Sequence, residues 1–202
     1  MIGDFKPVLP ALRPARRLWA WVVLAAALGP VALAWGLQRT GATSYYVEIL
    51  PVPSAALGGR RPAFSLSPVP GAVDVLAASE LLEAARQVAN GMADPGRTAL
   101  ITSTHRSLTT FEKMPMGDGR FDADRLLAAA RGQSRRLVAF DMEAVTRESG
   151  TVPSAVLFGA IAATGRLPFG REVCEAVVHA SGRGVEASLR GFARAFDLAA
   201  GE

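Results

Sequence analysis

From residue 72 onward, short, mainly apolar runs alternate with stretches in which apolar residues recur every three or four positions. The runs are AVDVLAAS (72–79), RTALITST (97–104) and RRLVAFDM (135–142). Their length and composition predict strands covered on both faces. SELLEAARQVAN follows the first run, with Ser79 placed to cap a helix, Leu81, Leu82, Ala85 and Val88 forming its stripe, and Gly91 stopping it. DADRLLAAARGQ (122–133) predicts a helix with acidic residues in its first turn. SAVLFGAIAATG (154–165), REVCEAVVHA (171–180) and GVEASLRGFARAFDLAA (184–200) predict three more. Upstream, YYVEIL (45–50) reads as a further strand, and the Pro/Gly-rich PVPSAALGGRRPAFSLSPVPG after it is too broken for a long element. Strands alternating with helices imply an α/β layer fold with a largely parallel sheet. No 20–50-residue period repeats, which argues against a solenoid.

Residues 1–37 have a different character. Between Leu18 and Gln38 run 21 residues without a charge, preceded by RPARR. The stretch from Leu18 to Leu37 is long enough to cross the apolar core of a bilayer, with basic residues on its N-terminal flank. RPARR as an n-region and ALA at 32–34 as a cleavage site give a signal-peptide reading. A buried helix broken at Gly29-Pro30 is a third reading. A fourth comes from composition: all 3 tryptophans of the chain lie here, among Ala, Leu, Val, Pro, Arg and Gly. GC-rich coding sequence read out of frame tends to yield such a mixture.

Charge narrows the function classes. The chain carries 22 basic and 18 acidic residues. Lys6, Arg13, Arg16 and Arg17 against Asp4 place +3 before residue 37, which leaves 18 basic and 17 acidic residues and only +1 beyond it. That body lacks the dense basic face a nucleic-acid binder uses to displace counterions. One cysteine, Cys174, and two histidines, His105 and His179, cannot furnish the cysteine set of an iron–sulfur cluster or a structural zinc site. Any such metal cluster belongs to a partner. No G-x-G-x-x-G, Walker A or G-x-S-x-G motif is present either.

In parallel α/β folds, ligands and partners meet the loops at the carboxyl ends of strands. Three segments are candidates. QRTGATS (38–44) offers the planar Arg39 fork for phosphate or carboxylate, neutral donors from Gln38, Thr40, Thr43 and Ser44, and close backbone approach at Gly41. An ordinary turn with a solvated Arg39 fits equally. STHRSLTTFEKM (103–114) carries His105 and Arg106, which read first as loop hydrogen-bonders because no nucleophile or second metal-spaced histidine accompanies them. FDMEAVTRESG (140–150) carries Asp141, Glu143 and Glu148, whose favoured role is to cap and solvate a helix start. Cys174 sits in a helical stripe with Val173 and Val177, as a core residue would, and His179 lies where a helix dipole ends.

With those residues in view, the chain resembles a known family. QRTGATSYYVEILP, DVLAASELLEAAR, TALITSTHRSLTTFEKMPMGDGR and LVAFDMEAVTRESG occur in the order found in the beta subunit of indolepyruvate:ferredoxin oxidoreductase, the gamma-type domain of the 2-oxoacid:acceptor oxidoreductases. The resemblance covers residues 38–198, and the hexad leading into the aromatic run is its most specific part. It implies a cytoplasmic complex that oxidatively decarboxylates an aryl 2-oxoacid to an acyl-CoA and passes electrons to ferredoxin. Thiamine diphosphate and [4Fe-4S] clusters would reside on a larger partner subunit. This chain would be a Rossmann-like three-layer domain beside the thiamine site, without a cofactor of its own and inactive alone. Gln38, Arg39, Thr40, Gly41 and Thr43 would lie near the subunit contact and the substrate or CoA side, with His105 and Arg106 as candidate loop contacts. No catalytic residue is carried over.

The departure from the family pattern is equally specific. Members begin with a strand, a G-G-[QE]-G loop and a helix, and nothing in residues 1–37 matches that unit. The resemblance starts abruptly at Gln38, which favours the out-of-frame reading over the membrane anchor. Without its first βαβ unit, residues 38–202 would be left with an unpaired sheet edge and uncovered apolar surface. Members can also run beyond the point at which this chain stops. The alternative from a different class is a membrane-anchored or exported α/β interaction module without catalysis.

Overall fold

The computed structural model describes residues 45–51, 54–59, 61–105, 121–182 and 184–201. Three strands, β1 (Val75–Ala78), β2 (Ala99–Ser103) and β3 (Arg136–Phe140), form a parallel sheet in chain order. The register aligns Val75 with Ala99 and Ala99 with Arg136 at the strand starts, and Ala78 with Thr102 and Thr102 with Ala139 near their ends. Helix α1 (Leu81–Ala89) connects β1 to β2, and α2 (Ala123–Gly132) precedes β3. The chain then runs through α3 (Met142–Ser149), α4 (Pro153–Ala163), α5 (Arg171–Ala180) and α6 (Val185–Ala200).

Because strand side chains alternate, the sheet has two apolar faces. Leu76, Leu100, Leu137 and Ala139 face Val88 of α1 and Leu127 and Ala130 of α2. The neighbours on the other face, including Ile101, Val138 and Phe140, pack with α3, α4 and α6 through Val145, Val156, Ala160, Ala195 and Ala199. The result is three layers, helix–sheet–helix. Leu100, Ile101 and Val138 are wholly buried, and each such side chain contributes roughly 1.5–3 kcal/mol by leaving water. Helix α4, PSAVLFGAIAA, is apolar on every side. It lies against the sheet cluster through Val156 and Ala160, and against α5 and α6 through Phe158 and Ala162, so no polar face is required of it.

Local signals end the helices where expected in several places. After α1, Gly91 adopts φ 73°, its N–H donates to Val88 O and that of Met92 to Gln87 O, which closes the helix in a Schellman motif. Asp122 caps α2 by accepting from the backbone of Asp124 and Arg125. The cap of α1, however, is Glu80 rather than Ser79, with no side-chain hydrogen bond. The first strand is also narrower than 72–79, and three of its four residues are only half-buried. β1 is an edge among the described strands, so it is not covered as β2 is.

The largest correction concerns residues 45–50, which form no strand. Tyr45, Tyr46 and Val47 stand 39–49% exposed. Propensity for β structure reflects the fit of a side chain to a pleated, half-buried surface. Among the described residues no strand offers this run a ladder.

Candidate functional site

The carboxyl ends of β2 and β3 are tied together at one buried hydroxyl. Ser103, 2% exposed, closes β2, and its Oγ accepts from the backbone N–H of His105 and of Met142, each at 3.2 Å. The N–H of Thr104 donates to Phe140 O at 3.0 Å, continuing the ladder one step past the strand. Asp141 then caps α3, accepting from Ala144 N at 2.9 Å. This small rigid platform fixes where the loop after β2 departs and where α3 begins. His105 is exposed at its edge. Asp141, Glu143 and Glu148 belong to one short helix, and Asp141 has the capping role its position implies.

A second feature is apolar and exposed. Tyr45, Tyr46, Val47, Phe64, Leu66 and Val69 are all large, all exposed and all within 25 residues of one another in the chain. Glu48 joins the two halves of this stretch, since its Oε2 accepts from Ser65 N at 2.8 Å. The Tyr46 hydroxyl is held above the usual tyrosine range, chiefly by desolvation and then by the negative charge and hydrogen bond of Glu48. Several large apolar side chains left exposed in one segment suit a protein contact.

A third feature lies at the opposite end of the sheet, where the strands begin. A cleft of about 360 Å³ is lined by Ala99, Arg135, Arg136, Thr164, Gly165 and Arg166. These arginines form no motif in the sequence, because Arg135 precedes a strand that Arg136 opens and Arg166 follows a helix 30 residues later. Adjacent to them, Arg97 grips Asp74 with two hydrogen bonds, 2.8 and 3.0 Å. That hydrogen bonding holds the Asp74 carboxyl below its usual range against the opposing effect of desolvation, with the positive charges of Arg97 and Arg166 assisting.

Of the residues singled out from sequence, Gln38, Arg39, Thr40, Gly41, Thr43 and Arg106 lie outside the described residues, as does the apolar run 18–37. Cys174 is fully buried between α5 and α6 beside Val178 and Phe192, and burial pushes its thiol up to about 11. His179 is exposed near the end of α5. Among the described residues, no three His, Cys, Asp or Glu side chains gather as a metal site, and no helix is long and apolar enough to cross a membrane. No protein-family model, curated protein or solved structure matches the chain.

Proposed function

We propose that the chain is the cofactor-free subunit of a cytoplasmic thiamine-dependent 2-oxoacid:ferredoxin oxidoreductase of the indolepyruvate type. In this reading the complex converts an aryl 2-oxoacid to an acyl-CoA. The large partner subunit holds thiamine diphosphate and the [4Fe-4S] clusters, and this chain shapes the entrance to its site. The sequence resemblance over residues 38–198 supports the assignment. The observation that carries the subunit role is the set of large apolar side chains left exposed, Tyr45, Tyr46, Val47, Phe64, Leu66 and Val69, which follows the segment 38–44 that carries the resemblance. An apolar surface of that kind is disfavoured in water and is stabilised by burial against another protein.

The test is co-expression of the full chain with a large subunit bearing thiamine and multi-cysteine cluster motifs. Co-elution on size exclusion, with indolepyruvate- and CoA-dependent reduction of ferredoxin by the pair and none by either chain alone, is the expected result. Recovery of the chain in the membrane fraction without that partner would instead support the anchored module, for which the 21-residue uncharged run beginning at Leu18 is the observation in favour.

A further inference from the structure

The cleft at the amino ends of the strands plays no part in the proposed subunit contact, and its chemistry is distinct. Three elements build it. β2 and β3 bring Ala99 and Arg136 side by side through their parallel register, Arg135 precedes β3, and the turn after α4 returns Thr164, Gly165 and Arg166 to the same place. Gly165 takes φ 65°, a left-handed conformation that turns the chain sharply and sets Arg166 at the rim. The backbone of this corner is fixed by hydrogen bonds, with Arg135 N donating to Thr98 O at 2.9 Å and Gly165 N to Ala162 O at 3.3 Å.

The charges here do not cancel. Asp74 is taken by Arg97, and Asp94 also bears on Arg97. The Arg136 guanidinium donates to the Ala199 carbonyl at the end of α6, a neutral acceptor. Among the described residues, the Arg166 guanidinium donates one long hydrogen bond, 3.4 Å, to the Arg97 carbonyl, and its charge bears on Asp74 without an ion pair. Among the described residues, none of Arg135, Arg136 and Arg166 has a carboxylate partner of its own within ion-pair distance. Three arginines thus line one cleft, beside a threonine and an unhindered glycine, with the Arg136 guanidinium anchored on Ala199. Such forks match the oxygens of a tetrahedral anion bidentately, which a point charge does not.

We propose that this cleft binds a phosphate-bearing small molecule, its phosphoryl oxygens held by Arg135, Arg136 and Arg166. Its volume is at the small end of the range for ligand sites, about 300–1,000 Å³. That suits a phosphate or pyrophosphate group with a modest carrier better than a folded segment of a protein. The site lies away from the strand ends where the subunit function is expected, so it would serve a ligand other than the one that reacts.

Titration calorimetry of the full chain with inorganic pyrophosphate tests the assignment at two salt concentrations. The unsubstituted chain should bind one equivalent. The double variant Arg135→Gln/Arg166→Gln should weaken binding by about a hundredfold, roughly tenfold for each charge-assisted hydrogen bond removed. Both side chains are exposed, so an unchanged thermal melt serves as the folding control. The variant Arg135→Lys/Arg166→Lys keeps the charge without the forks, and its binding should still be weaker by at least about tenfold. Equal binding by the lysine variant would reduce the cleft to diffuse electrostatics and overturn the proposal. So would no pyrophosphate binding by the unsubstituted chain, or a preference for a poly-glutamate peptide over pyrophosphate.

Discussion

Gly159 of α4 passes so close to Phe192 of α6 that a Cβ at position 159 would lie 2.2 Å from the Phe192 carbonyl oxygen. The obstructing atom is backbone, so it cannot rotate aside. Gly159→Ala should therefore force the two helices apart and destabilise the chain by about 1–3 kcal/mol, the usual range for overpacking, or more. Gly191→Ala offers a graded comparison. Its Cβ would meet the Thr151 side chain at 2.5 Å, and a side chain can move. Urea denaturation should rank the variants with Gly159→Ala clearly the worse, and equal midpoints would contradict this packing.

Ser103 is the acceptor for two backbone N–H groups from separate segments, His105 and Met142. Ser103→Ala leaves both donors without it, the Met142 N–H in a buried position, which should cost about 1–3 kcal/mol. Asp141→Ala removes only the cap of α3, and about 1 kcal/mol is expected. If the hydroxyl organises the platform, amide hydrogen exchange at Met142 should quicken in the serine variant and stay near normal in the aspartate one.

Asp74 should make acid stability depend on its arginine partner. Its carboxyl is depressed in the folded chain by the Arg97 hydrogen bonds. The stabilisation is therefore fully present above the ordinary aspartate range near pH 3.8 and lost as pH falls through the lower folded value. Both side chains are about half exposed, 49% and 53%, so the effect is that of a screened surface pair. The melting temperature of Asp74→Asn should fall slightly below that of the unsubstituted chain at neutral pH. The gap should close on acidification, and should narrow with salt.

Cys174 should be inert in the folded chain. Its thiol is fully buried and stays protonated until about pH 11, whereas the thiolate is the reactive form. A disulfide exchange reagent at pH 8 should label it only after denaturant is added. Rapid labelling of the native chain would show that α5 opens from α6.

The parts of the fold legible in the sequence were those with a local cause. ALI and LVAF are apolar runs because both faces of β2 and β3 meet helices, and Gly91 stops α1 because the turn there needs a positive φ. Residues 45–50 have strand composition but no ladder, since pairing depends on what lies alongside and a six-residue window does not contain that. Ser79 has the chemistry of a cap, yet the strand runs so close to α1 that Glu80 occupies the position. The arginine cleft could not be read at all. Arg135 and Arg166 are separated by 30 residues and become neighbours only through the turn after α4.

The order in which these layers are made has its own consequence. Each strand pairs with the one synthesised just before it, so the sheet can assemble as the chain leaves the ribosome. One of its faces must wait. Ile101 and Val138 are covered partly by Ala195 and Ala199, which emerge well after all three strands, and Arg136 reaches 63 residues ahead to the Ala199 carbonyl. During that interval a nascent chain carries these three strands paired but open on one face. Loss of Ala195–Ala199 from α6 should therefore be far more harmful, through aggregation or proteolysis, than the removal of five residues would suggest.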